Sequence, residues 1–206
     1  TFIMPASNVV VLAEFTEFTG GVLYTLATTI ESGKHYIIAS GKDDGTVYVM
    51  GGQNSNNRAA VAQSVEDGMI MTSSLDVSEF VINGPDANGY YIIYDAEVPG
   101  YLFAPVSGNK NYLRTQQFND NKGQWTISID ADNSEANVVA NAEGRNTMRY
   151  NSASNVFSCY ASGQQPIYLY EKDGETEYTF YKDITGFGEA ENGNYYLIAS
   201  PVAVAP

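Results

Sequence analysis

One alternating segment recurs three times in this chain, and the recurrence limits its possible folds more than any other feature. Gly123-Gln124-Trp125-Thr126-Ile127-Ser128-Ile129-Asp130 holds the only tryptophan, and its apolar residues fall on every second position. That is the period of a half-buried β-strand. Glu79-Phe80-Val81-Ile82 precedes it and Pro166-Ile167-Tyr168-Leu169 follows it, each about forty residues away. Superposed, the three place Phe80, Trp125 and Ile167 in one column and Ile82, Ile127 and Leu169 in another.

Three further columns accompany this one. The first aligns His35-Tyr36-Ile37-Ile38-Ala39-Ser40 with Tyr90-Tyr91-Ile92-Ile93-Tyr94-Asp95 and, more faintly, with Ala136-Asn137-Val138-Val139-Ala140-Asn141. The second contains Val47-Tyr48-Val49-Met50, Tyr101-Leu102-Phe103-Ala104 and Thr147-Met148-Arg149-Tyr150. The third is opened each time by an asparagine: Asn57-Arg58-Ala59-Ala60-Val61, Asn111-Tyr112-Leu113-Arg114-Thr115 and Asn155-Val156-Phe157-Ser158-Cys159. Offsets of about 54–55 and then 44–46 residues hold across these columns. Four strands repeated three times predict an all-β chain, a β-trefoil-like barrel of three four-stranded units. Only the fourth strand of unit one falls late, by about ten residues, so the stretch 65–76 reads as an insertion. Its Met69, Ile70 and Met71 are expected to cover the open end of the barrel or, alternatively, to form a protein contact.

The trefoil-like module is expected to span residues 21–182, with Tyr24-Thr25-Leu26-Ala27-Thr28 as a lead-in strand. Residues 177–182 read as a further strand, expected to pair with it. Residues 1–20 read as the last strand of a preceding domain. Residues 183–206 read as a linker and the first strand of a following one, because Tyr195-Tyr196-Leu197-Ile198-Ala199-Ser200 echoes the first column. The chain is therefore expected to be one complete module with flanking domains of the same longer protein on either side.

Charge removes several partner classes. With 24 acidic and 10 basic side chains the net charge is −14, which argues against nucleic acid and anionic membrane. No apolar run reaches the length of a membrane-spanning helix. Cys159 has no second cysteine to pair with and alternates with Phe157 and Ala161, as a buried small apolar residue would.

Two resemblances add context. Phe2-Ile3-Met4-Pro5-Ala6-Ser7-Asn8-Val9-Val10-Val11, with Ala13-Glu14-Phe15, resembles the closing strand of internalin-type B-repeats, β-rich modules strung along bacterial surface proteins. Gln53-Asn54-Ser55-Asn56-Asn57-Arg58, Asn111-Tyr112-Leu113-Arg114-Thr115-Gln116, Asn155-Val156-Phe157-Ser158-Cys159-Tyr160 and Gly163-Gln164-Gln165-Pro166-Ile167-Tyr168-Leu169-Tyr170 resemble an accessory module of secreted and surface proteins from gut-dwelling Gram-negative anaerobes. That likeness implies an extracellular location and a place beside hydrolases or repeat domains. It implies no activity of the module itself.

Chemistry-bearing motifs are sparse. His35 stands alone at a strand start, and no nucleophile elbow, metal-spaced Cys/His cluster or phosphate loop occurs, so neither catalytic residues nor a cofactor are expected. Asp130-Ala131-Asp132-Asn133-Ser134-Glu135 carries the alternating oxygens of a calcium loop without its glycine or distant glutamate, and reads better as a turn. Sugar binding requires an acidic or amide group for paired hydroxyls and an aromatic face for the ring. Unit two supplies Asp95, Tyr101, Tyr112, Asn119 and Gln124 as candidates, and unit one a polar ring of Gln53, Asn54, Asn56 and Asn57. Ricin-type trefoils carry a Gln-x-Trp in the fourth strand, but here Gly123 occupies the glutamine position, so Trp125 is expected in the core. The expected function is a non-catalytic accessory module, binding carbohydrate or spacing its neighbours. A protein-binding adhesive module using Met69 to Met71 is the alternative, and an enzyme of unknown type the remote one.

Overall fold

In the computed structural model, residues 21–95, 98–104 and 110–174 are described here; they belong to one compact unit, Gly21–Glu175. The expectations for residues 1–20 and 175–206 lie outside the described residues.

The twelve strands read from the four columns are all present, joined by two more. Unit one contributes β2 (Lys34–Ser40), β3 (Gly45–Asn54), β4 (Asn57–Glu66) and β6 (Phe80–Asn83). Unit two contributes β7 (Tyr91–Asp95), β8 (Gly100–Phe103), β9 (Arg114–Gln116) and β10 (Gln124–Ile129). Unit three contributes β11 (Ala136–Ala140), β12 (Thr147–Asn151), β13 (Val156–Tyr160) and β14 (Tyr168–Lys172). The added strands are β1 (Val22–Leu26) and β5 (Met69–Thr72).

First and fourth strands of each unit close a six-stranded barrel by antiparallel pairing around the ring β2, β6, β7, β10, β11 and β14. The ring closes between β11 and β14, where Ala136 N donates to Ile167 O at 2.8 Å. Second and third strands form the hairpins β3–β4, β8–β9 and β12–β13. This is a β-trefoil.

The barrel core follows the columns closely. Phe80, Trp125 and Ile167 are all fully buried and lie opposite Tyr36, Tyr91 and Ala136 across their ladders. Trp125 satisfies its one polar atom by donating Nε1–H to Leu102 O at 3.0 Å. This pairing corrects the first column in unit three by one residue. Ala136, not Asn137, is equivalent to Tyr36 and Tyr91, and Val138 joins Ile38 and Ile93 in the core. Side chains alternate faces, so a one-residue slip would exchange buried Val138 for the half-buried Val139. Two adjacent valines hid the choice.

The insertion does not cover the barrel's open end. Val65 and Glu66 extend β4, and β5 pairs with β4 on one edge and β1 on the other; β1 in turn pairs with β14. These strands lie against the outward faces of β2 and β14 and bury Ile70 and Val65 with Ile37, Ala39, Tyr168 and Tyr170 in a second apolar cluster. Hence β2 is buried on both faces, and its run Tyr36-Ile37-Ile38-Ala39 is apolar without alternation.

The third strand of unit two is shorter than its column, beginning at Arg114. The residues before it are tied to unit one: Leu113 N donates to Asn56 O at 2.9 Å, and Gln53 brackets Leu113 O and Thr115 N. Gln53 Nε2 also donates to Ser55 O and Asn57 O at 2.9 and 2.7 Å, so this member of the polar ring caps a turn.

Candidate functional site

Asp95 ends β7, and its side chain is fully buried. Its Oδ2 accepts from Arg58 Nη2 at 2.7 Å, and Oδ1 accepts from Val98 N at 3.1 Å. Arg58 is equally buried and donates to Ser78 Oγ, Thr115 Oγ1 and Gly51 O at 2.8–2.9 Å, with its guanidinium 5.4 Å from the centre of the Phe80 ring. Asp95 therefore joins units one and two in the interior; burial corrects its expected role as a sugar ligand. Asn119 is exposed, but a side chain at Gly123 would come within 2.9 Å of its Oδ1. Asn119 Oδ1 and Gln116 Nε2 thus lie directly over the glycine at that position. Tyr101 lies edge-on to Tyr94, 5.3 Å between ring centres, and Gln124 Oε1 accepts from Asn141 Nδ2 at 3.2 Å. Among the five candidates only Tyr112 lines either of the two grooves described next.

Both grooves are shallow and open. One, of about 330 Å³, runs beside the end of β11 and is lined by Tyr90, Thr126, Asn141, Glu143 and Asn146 among others. The other, of about 460 Å³, lies where the three units' third strands begin. Unit one brings Ser55, Asn56 and Asn57 from the β3–β4 turn; unit two brings Lys110, Asn111 and Tyr112; unit three brings Asn151, Ser154 and Tyr160 from the β12–β13 hairpin. The three opening asparagines do not play equal parts. Asn57 is best oriented with Nδ2 toward Ser158 Oγ (2.7 Å), Asn56 O (3.0 Å) and Asn111 O (3.2 Å), so it ties all three units together. Asn155 has φ +51° and accepts the Tyr150 hydroxyl at 2.8 Å, making it a turn residue. Asn111 faces the groove, and Asn56 and Asn151 join it there.

Other expected features resolve into structure. Asp130 Oδ1 accepts from Asp132 N and Asn133 N at 2.9 and 3.1 Å, and Asn133 Oδ1 from Glu135 N at 2.8 Å, an Asx-turned hairpin in which these side-chain oxygens face backbone. Cys159 is fully buried, and burial pushes its thiol far above the ordinary range. His35 has company that sequence reading missed. Its Nδ1 lies 2.5 Å from Glu79 Oε1, while Glu79 Oε2 accepts from the Tyr24 hydroxyl at 2.6 Å and Lys172 Nζ at 3.0 Å. Burial alone would raise the Glu79 pKa; the hydrogen bonds from Tyr24, Lys172 and His35 outweigh it and hold the carboxyl below its ordinary value. The partners come from β1, β2 and β14, too far apart in sequence for any spacing to reveal them.

No protein-family model and no curated protein matches this chain. Among solved structures, a mosquitocidal holotoxin is similar at 16% identity and TM-score 0.51, over 70% of this chain and 18% of that one. A Polyporus squamosus lectin is similar at 13% identity and TM-score 0.49, over 68% and 50%. A GlcNAcα1-4Gal-releasing endo-β-galactosidase from Clostridium perfringens is similar at 12% identity and TM-score 0.48, over 68% and 33%. The chain spans half or less of each of these proteins, and at such identities the likeness is one of fold.

Proposed function

We propose that this module is a non-catalytic carbohydrate-binding unit of a larger secreted or cell-surface bacterial protein, and that its site is the groove where the third strands meet. One observation carries the reading: all three units contribute amide and hydroxyl side chains and two tyrosines to one open groove. Amides hold pairs of vicinal hydroxyls, and a tyrosine face stacks on the C–H surface of a pyranose. The sequence resemblance to accessory modules of secreted proteins supports the location.

The test is a glycan array followed by calorimetry on the retained sugars, with Tyr112→Ala as the variant. Retention with an affinity about tenfold weaker in the variant is the expected result, since loss of one stacking face is worth about 1.4 kcal/mol. Circular dichroism controls for folding, because Tyr112 is half-buried. An array without retained sugar, or a Tyr112→Ala protein that binds unchanged, removes the reading. In that event the adhesive alternative gains ground, favoured by the exposure of Met71 (43%) and Leu75 (94%).

A further inference from the structure

The groove presents hydrogen-bond donors, and this narrows the chemistry of what it holds. Asn111 Oδ1 accepts from Arg145 Nη1 at 2.8 Å, and Asn151 Oδ1 accepts from Ser154 N at 3.1 Å. A guanidinium and a backbone amide only donate, so the orientation of both carboxamides is unambiguous. With their oxygens engaged by the protein, Asn111 is left its NH2 end, while Asn151 donates one N–H to the Tyr160 hydroxyl and keeps the other. Lys110 adds an exposed ammonium, which only donates. No carboxylate is among the groove's lining residues.

This runs against the composition. The chain has 24 acidic and 10 basic side chains, so an average surface groove would carry acids before bases. Here one cation stands in the wall, and a second, Arg145, is one hydrogen bond behind it through Asn111. The groove beside β11 has the opposite character, with Glu143 in its lining and neither Lys nor Arg. A wall with one ammonium, no carboxylate and carboxamide N–H groups left for a ligand suits an acceptor-rich anion.

We infer that the groove where the third strands meet selects an acidic saccharide, one whose sugar carboxylate is held by Lys110 and the NH2 groups of Asn111 and Asn151. This inference rests on the carbohydrate-binding reading and names the substrate class of that site. The remaining hydroxyls and ring face are left to Asn56, Ser55 and Tyr112. The expected gain from the charge is modest, because Lys110 is exposed and its attraction is screened by salt.

The experiment compares oligogalacturonate with its methyl-esterified, uncharged counterpart by calorimetry on the full chain, at low and at physiological salt. The acid is expected to bind about fivefold more tightly at low salt, the preference shrinking as salt rises. Lys110→Gln should abolish the preference of acid over ester; Glu143→Gln, in the other groove, should alter neither affinity. Equal binding of acid and ester, or a preference that survives Lys110→Gln, overturns the inference while leaving sugar binding intact. A chain that binds neither compound and retains no acidic or neutral glycan on the array overturns the inference together with the function it rests on.

Discussion

Removing the Asp95 carboxylate should destabilise the fold severely while leaving the groove chemistry untouched. The Arg58 and Asp95 side chains are each fully buried, with Nη2 and Oδ2 2.7 Å apart. At the effective dielectric suited to such sites, charges about 4 Å apart attract by about 4 kcal/mol. Taking away one partner loses that attraction and strands the other charge away from water, a cost of about 3–5 kcal/mol. That is a large share of the roughly 5–15 kcal/mol that stabilises a domain. Asp95→Ala, which strands the guanidinium against Phe80 and Ser78, should therefore lower Tm by about 10 °C or more for a body of this size. Arg58→Met strands the carboxylate and should cost a similar amount. Joined with Asp95→Ala it leaves no buried charge, though Gly51 O and Val98 N lose their partners, so the double variant should cost about 2–3 kcal/mol, well under the sum of the two singles. Guanidinium unfolding of the four proteins closes the cycle. A coupling below about 1 kcal/mol, or an Asp95→Ala protein within about 1 kcal/mol of the parent, refutes the reasoning.

Two further outcomes test other parts of the fold. Because the folded-state pKa of Glu79 is depressed, its contribution is fully present above its ordinary value of 4.5 and is lost as pH falls through the lower, folded value. Tm should drop as pH falls below about 4.5, and Glu79→Gln should flatten that slope; a slope equal to the parent's would discard the Tyr24–His35–Lys172 cluster as its source. Trp125→Phe leaves Leu102 O without its indole donor and a void in the barrel layer, an expected loss of about 2–3 kcal/mol by denaturant titration followed by circular dichroism. A change under about 0.5 kcal/mol would mean that the layer repacks freely.

Much of the architecture was legible in one dimension because the trefoil repeats a local rule. Each unit alternates with period two, so Phe80, Trp125 and Ile167 announce themselves as one core layer wherever the chain carries them. Legibility failed where alternation failed. Val138 and Val139 are both apolar, and only the ladder to β10 and the bridge at Ile167 decided which faces inward. The stretch around Met69 is apolar and unrepeated; its partner could be named only once β1 was seen pairing with both β5 and β14.

The candidate site shows the same division. Tyr112, which lines the groove, drew notice in the sequence as an aromatic residue beside an asparagine that recurs in every unit. Asp95 misled because a carboxylate at a strand end looks identical in sequence whether it meets solvent or a buried guanidinium 37 residues away. The sequence by itself determined the twelve repeated strands, the threefold order and the Phe80–Trp125–Ile167 layer, since these depend on side-chain periodicity and short connections. Only the tertiary structure decided which polar groups meet. Hydrogen bonds and ion pairs act over about 3 Å between residues that the chain places far apart, and closure of the barrel is what brings Asn56, Lys110, Asn111 and Asn151 to one groove.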